Sequence, residues 1–230
     1  MHERPYTLLS CSMSIDGYLG SPTPRRLELS NDADFDRVDA VRATCDAILV
    51  GAETVRKDNP RLVVRSQARR DEREALGLAP SPIKVTVTNR LELDARADFF
   101  TTGESEKLVY CPSARVRDAR SRLGPMATVV DAGNPVEMRE VSRDLMDRGV
   151  ERLMVEGGGL VHTQFLTGNL ADELQLVVAP FFVGDSRAPR FVRDGRFPWN
   201  PGRRATLAGS RVIGDVVLLR YALSPRFQTD

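Results

Sequence analysis

Histidine and cysteine are scarce in this chain, and their scarcity removes several chemistries at once. Of 230 residues, two are histidine and three are cysteine. His2 and His162 are too few for a multi-histidine metal centre, and they give no support to a Ser-His-Asp set. Cys11, Cys45 and Cys111 are odd in number and lack CxxC or CxxxC spacing, which argues against a zinc site and a disulfide framework alike. They read as small, reduced core residues, and no metal is expected. Charge of one sign is also lacking. With a formal net charge of +1, no long-range field favours nucleic acid or an anionic membrane, so an anionic ligand has to be held by local groups. Long apolar runs are missing too: the most apolar stretch, Leu174 to Val183, is too short to span a bilayer and contains Pro180. The start, Met1-His2-Glu3-Arg4-Pro5, has no basic-then-apolar layout of a signal peptide. No internal repeat, low-complexity tract or dividing linker is visible. The expectation is one domain over residues 1–230, cytoplasmic, with no nucleic-acid or membrane partner.

What is present is an ordinary globular composition, 41% apolar and 28% charged, arranged in alternating strand-like and helix-like segments. Tyr6 to Ile15 alternates, with Leu9, Cys11, Met13 and Ile15 on one face and Ser10, Ser12 and Ser14 on the other, and it predicts a strand closed by Asp16-Gly17. After a loop with Pro22 and Pro24, Ser30 or Asn31 caps a helix carrying Phe35, Val38 and Val41 on one stripe. Ala47 to Val50, ending at Gly51, suits a central strand covered on both faces. Further strand-like runs are Ile83 to Thr88, Lys107 to Cys111, Ala127 to Val130 and Arg152 to Val155. A helix over Val136 to Arg148 stops at Gly149. This alternation implies a mostly parallel sheet with flanking helices. Glu173 to Ala179, Arg203 to Ile213 and Asp215 to Leu223 suggest antiparallel strands added at its edge, the last two joined at Ile213-Gly214-Asp215. The charged segment Ser66 to Leu78 reads as a solvated surface insertion.

Two segments point to ligand chemistry. Val155-Glu156-Gly157-Gly158-Gly159-Leu160 takes a strand through three glycines into a helix, so backbone can approach a ligand and the exposed amides of the first helical turn attract a phosphate or diphosphate. A tight turn with no ligand is the plainer alternative, but three glycines exceed its needs. No GxGxxG follows the first strand, which disfavours a standard Rossmann domain. The second segment, Gly51 to Leu62, leaves another strand end and gathers Arg56, Lys57, Arg61 and, just beyond, Arg65. Arginines clamp phosphates bidentately, although such charges are often merely solvated. Ser14 and Asp16 are candidates for the pocket mouth, with Asp16 counted among the cofactor contacts; simple turn chemistry is their alternative role.

Taken in order, Ser14-Ile15-Asp16-Gly17, Val50-Gly51-Ala52-Glu53-Thr54-Val55 with Asp58-Asn59-Pro60-Arg61-Leu62, Val155-Glu156-Gly157-Gly158-Gly159, and Asp172-Glu173-Leu174 with Ala179-Pro180-Phe181-Phe182-Val183-Gly184 resemble the pyrimidine reductase family of riboflavin biosynthesis. The resemblance runs through essentially the whole chain and is closest to the standalone archaeal-type reductases. It implies a dihydrofolate-reductase-like α/β fold with a mixed, mostly parallel sheet and a C-terminal antiparallel hairpin, usually dimeric. It also implies hydride transfer from NADPH to C1′ of a ribosylaminopyrimidine 5′-phosphate, giving the ribitylamino product. By position, Ser12, Thr54, Asp58, Asn89 and the run Gly158, Gly159, Leu160, Val161, His162, Thr163 and Gln164 match the family's cofactor contacts. Arg42, Leu62, Arg65 and Glu156 match its substrate contacts, and Glu156 is the candidate acid or orienting group. Arg90, beside Asn89, is a candidate for the coenzyme's 2′-phosphate.

The chain also departs from the family. The bifunctional bacterial enzymes carry Lys where Ser10 stands, and Ser and Trp where Arg26 and Glu28 align, differences that touch the substrate side. Two other readings are a paralogous reductase of a pterin, with Asp32 or Asp34 as the binding carboxylate, and a nucleotide-binding regulatory protein without catalysis.

Overall fold

A computed structural model describes residues 3–23 and 27–227. Met1, His2, Pro24 and Arg26, which the sequence reading used, lie outside the described residues. Among the described residues nine strands form one mixed sheet: β1 (Tyr6–Ser14), β2 (Ala47–Gly51), β3 (Ile83–Val87), β4 (Lys107–Cys111), β5 (Thr128–Asp131), β6 (Arg152–Gly157), β7 (Glu173–Ala179), β8 (Thr206–Ile213) and β9 (Val216–Ala222). Their hydrogen-bonded order is β5-β4-β3-β2-β6-β1-β7-β9-β8. The described residues divide into two compact units, one of residues 3–5 with 38–154, the other of 6–23 and 27–37 with 155–227.

In the first unit β2, β3, β4 and β5 pair in parallel. All five residues of β2 are buried, as its continuous apolar run requires of a strand covered on both faces. The helices between them are α2 (Ala52–Asp58), α3 (Gln67–Ala75), α4 (Asp98–Thr101), α5 (Val116–Leu123) and α6 (Met138–Asp147). Glycine stops α3 and α6 by one mechanism. Gly77 and Gly149 sit at φ +75 and +87, a region that costs glycine nothing. The amide two residues past each helix cap then returns to a carbonyl of the last turn, Leu78 to Arg73 at 3.0 Å and Val150 to Leu145 at 3.0 Å, the Schellman arrangement.

The structure corrects the sequence reading of residues 66–78. The segment is a helix, capped by the Ser66 hydroxyl. One of its arginines is not solvated: Arg73 is 5% exposed and donates to the carbonyls of Ala79, Ala43 and Cys45. A charged run that reads as solvated thus contains a guanidinium that satisfies buried backbone.

The second unit holds β1, β7, β9 and β8, with α7 (Gly159–Thr167). Here a second correction applies. β7 was expected among the antiparallel edge strands, but it pairs in parallel with β1 and antiparallel with β9. Only β9 and β8 form the antiparallel hairpin, turning at Gly214 with φ +61. Asp172 and Glu173, at the head of β7, are buried. Asp172 accepts from the Thr7 amide and the Ser224 hydroxyl, and Glu173 from Tyr6, Gln175 and Arg220. This acidic pair ties the start of β1 to the C-terminal strand. Toward the other end of β7 lies a core of Leu29, Val177, Ala179, Ile213, Val216 and Leu218. Helix α1 (Asp32–Ala43) starts at Asn31, whose side-chain oxygen accepts the Asp34 amide at 3.1 Å.

Candidate active site

In the second unit, β6 runs through Glu156 into Gly157, Gly158 and the first turn of α7. Gly157 has φ +123 and its peptide to Gly158 is cis. A Cβ at Gly157 would lie 3.3 Å from His162 Nε2, and one at Gly159 would collide with the Arg190 carbonyl. Two of the three glycines are therefore required by the protein's own packing. The number of glycines does not by itself call for a ligand. What favours an anion is the helix end: Gly158, the residue before α7, offers no side-chain cap to the first-turn amides, and such amides attract negative charge.

The segment from Pro189 to Gly195 is bound on both sides of this turn. Leu19 N donates to Pro189 O at 2.7 Å and Phe191 N to Gly17 O at 3.0 Å, while Arg193 N donates to the Thr163 hydroxyl at 2.8 Å. His162 sits behind the turn, fully buried, with its ring 5.5 Å from that of Phe191. Neither ring nitrogen has a hydrogen-bond partner, and burial pushes its pKa down to about 4. The imidazole is neutral at pH 7.

Asp16 is engaged in the same unit. It accepts the Ser14 hydroxyl at 2.5 Å and the amides of Val183 and Gly184 at 3.0 and 2.8 Å. Burial opposes its ionisation, but those hydrogen bonds prevail and hold the carboxyl down at about 2. Its turn-chemistry alternative is the role the contacts display. Ser12 is half-buried on β1, Glu156 and Gln164 are half-buried, and Leu160 is exposed; Val161 and Thr163 are buried. Asp34, the candidate pterin carboxylate, is buried and held by Ser30 and by Arg37 at 2.6 Å. Each of its oxygens has an internal partner, while Asp32, the other candidate, is exposed in the first turn of α1.

In the first unit the basic cluster expected after β2 disperses. Arg56 pairs with Glu92, Lys57 with Glu53 and Arg61 with Asp98, at 3.7, 2.9 and 3.5 Å, all on the surface. Thr54 lies half-buried in α2, Asp58 is exposed at its end, and Asn89 is exposed beyond β3. Three of the four residues proposed for substrate, Arg42, Leu62 and Arg65, belong to this unit, and Glu156 to the other. Arg42, on α1, donates to Val63 O at 3.3 Å. Leu62, 1% exposed, takes φ +48, and Arg65 is exposed three residues on.

Sequence reasoning missed Asp39. It lies on α1 one turn before Arg42, is 3% exposed, and accepts the amides of Arg65 and Ser66 at 2.5 and 3.1 Å and Arg69 Nη1 at 2.9 Å. Burial alone would raise its pKa, but the two amides and the guanidinium outweigh it and hold the carboxyl below its ordinary value. The one sequence signal available was the i, i+3 spacing to Arg42, which puts both side chains on one helix face.

With this geometry in place, the comparisons with known proteins are informative. The model of the family described as the RibD C-terminal domain matches residues 5–219. The 2,5-diamino-6-ribosylamino-4(3H)-pyrimidinone 5′-phosphate reductase of Archaeoglobus fulgidus is 34% identical over 191 residues, 81% of this chain and 85% of that protein. The protein of the same name from Methanothermobacter thermautotrophicus is 32% identical over 230 residues, 96% of this chain and 99% of its own length. Among solved structures, a diaminohydroxyphosphoribosylaminopyrimidine deaminase/5-amino-6-(5-phosphoribosylamino)uracil reductase of Thermotoga maritima superposes with a TM-score of 0.77 at 20% identity, over 96% of this chain. This chain spans 57% of that one, and the likeness is one of fold.

Proposed function

Since the chain belongs to the RibD C-terminal domain family, whose relatives are named as reductases and as riboflavin biosynthesis proteins, we propose that it reduces a ribosylaminopyrimidine 5′-phosphate to the ribitylamino product with NADPH. The observation that carries this reading is the match, end to end, to a reductase of that substrate class at 32% identity. Bound NADPH supplies a hydride for C1′ of the ribose. The uncapped first turn of α7 fits the coenzyme's diphosphate, and Gly158 to Gln164, Ser12, Thr54, Asp58 and Asn89 are its proposed contacts. Asp16 contributes by holding the Gly17 turn to Val183 and Gly184.

On the substrate side, Arg65 takes the terminal phosphate and Arg42 and Leu62 shape the arm that carries it. Opening the ribose to a form that accepts hydride needs a proton at the ring oxygen, and Glu156, at the end of β6, is the proposed donor or orienting group. His162 is not the proposed proton donor, because burial keeps its ring neutral at pH 7. The enzyme is proposed to be a cytoplasmic homodimer. Among the described residues no helix is long and apolar enough to cross a membrane. The exposed Leu207 and Val212 of edge strand β8 support pairing with a second copy.

The test is NADPH oxidation followed at 340 nm with the deaminated or diamino ribosylaminopyrimidine phosphate as substrate. Turnover with either is expected. Saturable NADPH binding without turnover would identify a binding protein instead, and faster turnover with dihydrofolate would overturn the substrate assignment.

A further inference from the structure

Between α2 and α3 the chain runs from Asn59 to Ser66 with no helix or strand, yet this stretch carries Leu62 and Arg65. A segment outside any ladder must satisfy its amides and carbonyls elsewhere. Here side chains supply the partners, group by group. Arg42 donates to Val63 O and the Ser81 hydroxyl accepts the Val64 amide at 3.0 Å. Arg70 donates to Val64 O and Arg65 O at 2.9 and 2.7 Å. The amides of Arg65 and Ser66 go to the two oxygens of Asp39. A carboxylate so near an arm meant for an anion would repel it, but Arg69 pairs with that carboxylate at 2.9 Å and offsets its charge locally.

We infer that Asp39 is the positioning residue of this arm: by holding the backbone of Arg65 and Ser66 it determines where the Arg65 guanidinium is delivered, and so sets the preference for a substrate bearing a terminal phosphate. The inference rests on the reading that Arg65 takes that phosphate. Asparagine at position 39 keeps the volume but turns an NH2 group toward one of the donors, so one amide of the arm loses its acceptor. The arm then samples several positions, and substrate binding weakens in ground state and transition state alike.

The experiment compares steady-state kinetics of the full chain and its variants on the phosphorylated pyrimidine and on its 5′-hydroxyl analogue. Asp39→Asn is expected to raise KM for the phosphorylated substrate about tenfold with kcat within about twofold, the pattern of lost uniform binding. KM for NADPH, and kcat/KM for the 5′-hydroxyl analogue, should stay at wild-type values. Arg65→Ala should behave in the same way, and the double variant should be no worse than Arg65→Ala alone, since both act through one arm. A collapse of kcat, equal losses on both substrates, or additive effects would overturn the role of Asp39. If Arg65→Ala raises KM and Asp39→Asn does not, Asp39 alone is misassigned; if Arg65→Ala leaves KM unchanged, the phosphate reading itself fails. Should Asp39→Asn not fold, Arg70→Ala removes two donors to the same arm from a partly exposed position. It is expected to raise KM about threefold at unchanged kcat, and an unchanged KM would refute the inference.

Discussion

Acidifying this protein from pH 7 to pH 5 should cost stability through one buried side chain, His162. Unfolded, its imidazole takes a proton with the ordinary pKa of 6.5; folded, burial holds the value at about 4. Between those values the unfolded chain binds more protons, so stability falls as pH drops. The ceiling, reached below pH 4, is about 3 kcal/mol, and the loss between pH 7 and pH 5 is about 2 kcal/mol. Geometry explains the depression, since both ring nitrogens are unpartnered and a Cβ added at Gly157 would crowd Nε2. A charge placed there finds no acceptor. The assay is urea unfolding at pH 7 and pH 5 for the wild type and for His162→Leu, whose side chain is close in volume and cannot titrate. The wild type should lose about 2 kcal/mol more than the variant over that interval. Because the chain has only two histidines, nuclear magnetic resonance of histidine-labelled protein resolves the ring directly. A folded-state midpoint near 6.5 for His162, or equal pH slopes for the two proteins, would refute the reasoning.

Three further outcomes are expected. Gly159→Ala places a methyl group against the Arg190 carbonyl; a loss of about 1–3 kcal/mol from overpacking should appear in thermal unfolding together with weaker NADPH binding by fluorescence titration, and a wild-type melting temperature would count against the packing described. Arg73→Met leaves the carbonyls of Ala43, Cys45 and Ala79 without their donor and should cost about 2–4 kcal/mol in urea unfolding, whereas a change under about 0.5 kcal/mol, typical of surface sites, would show that the arginine is dispensable. Arg90→Ala should narrow the preference for NADPH over NADH, about tenfold for the loss of one charge-assisted contact of ~1.4 kcal/mol, and equal affinities of the wild type for the two coenzymes would eliminate the 2′-phosphate role.

Much of this molecule is written in short-range pattern. The buried run Ala47–Gly51, the helix stop at Gly149, and the Ile213-Gly214-Asp215 turn follow from backbone preferences within a few residues, and each is read without knowledge of what lies across the fold. The strand-glycine-helix order at Glu156 to Leu160 is equally legible, and so is the family. Partners distant in sequence are a different matter. Arg73 looks solvated until its three carbonyls are in place, β7 looks like an edge strand until β1 takes its other side, and nothing in the local sequence shows that the Arg190 carbonyl leaves no room for a side chain at Gly159. The basic cluster after β2 looks like a phosphate clamp until Glu53, Glu92 and Asp98 draw off three of its charges, and Asp39 has no visible purpose until Arg65 and Ser66, 26 and 27 residues away, bring it their amides. Local sequence determines which conformations a segment prefers, because φ, ψ and side-chain spacing are settled among near neighbours. Which polar group meets which partner is decided only when the chain closes on itself, because burial and hydrogen bonding depend on what arrives from elsewhere.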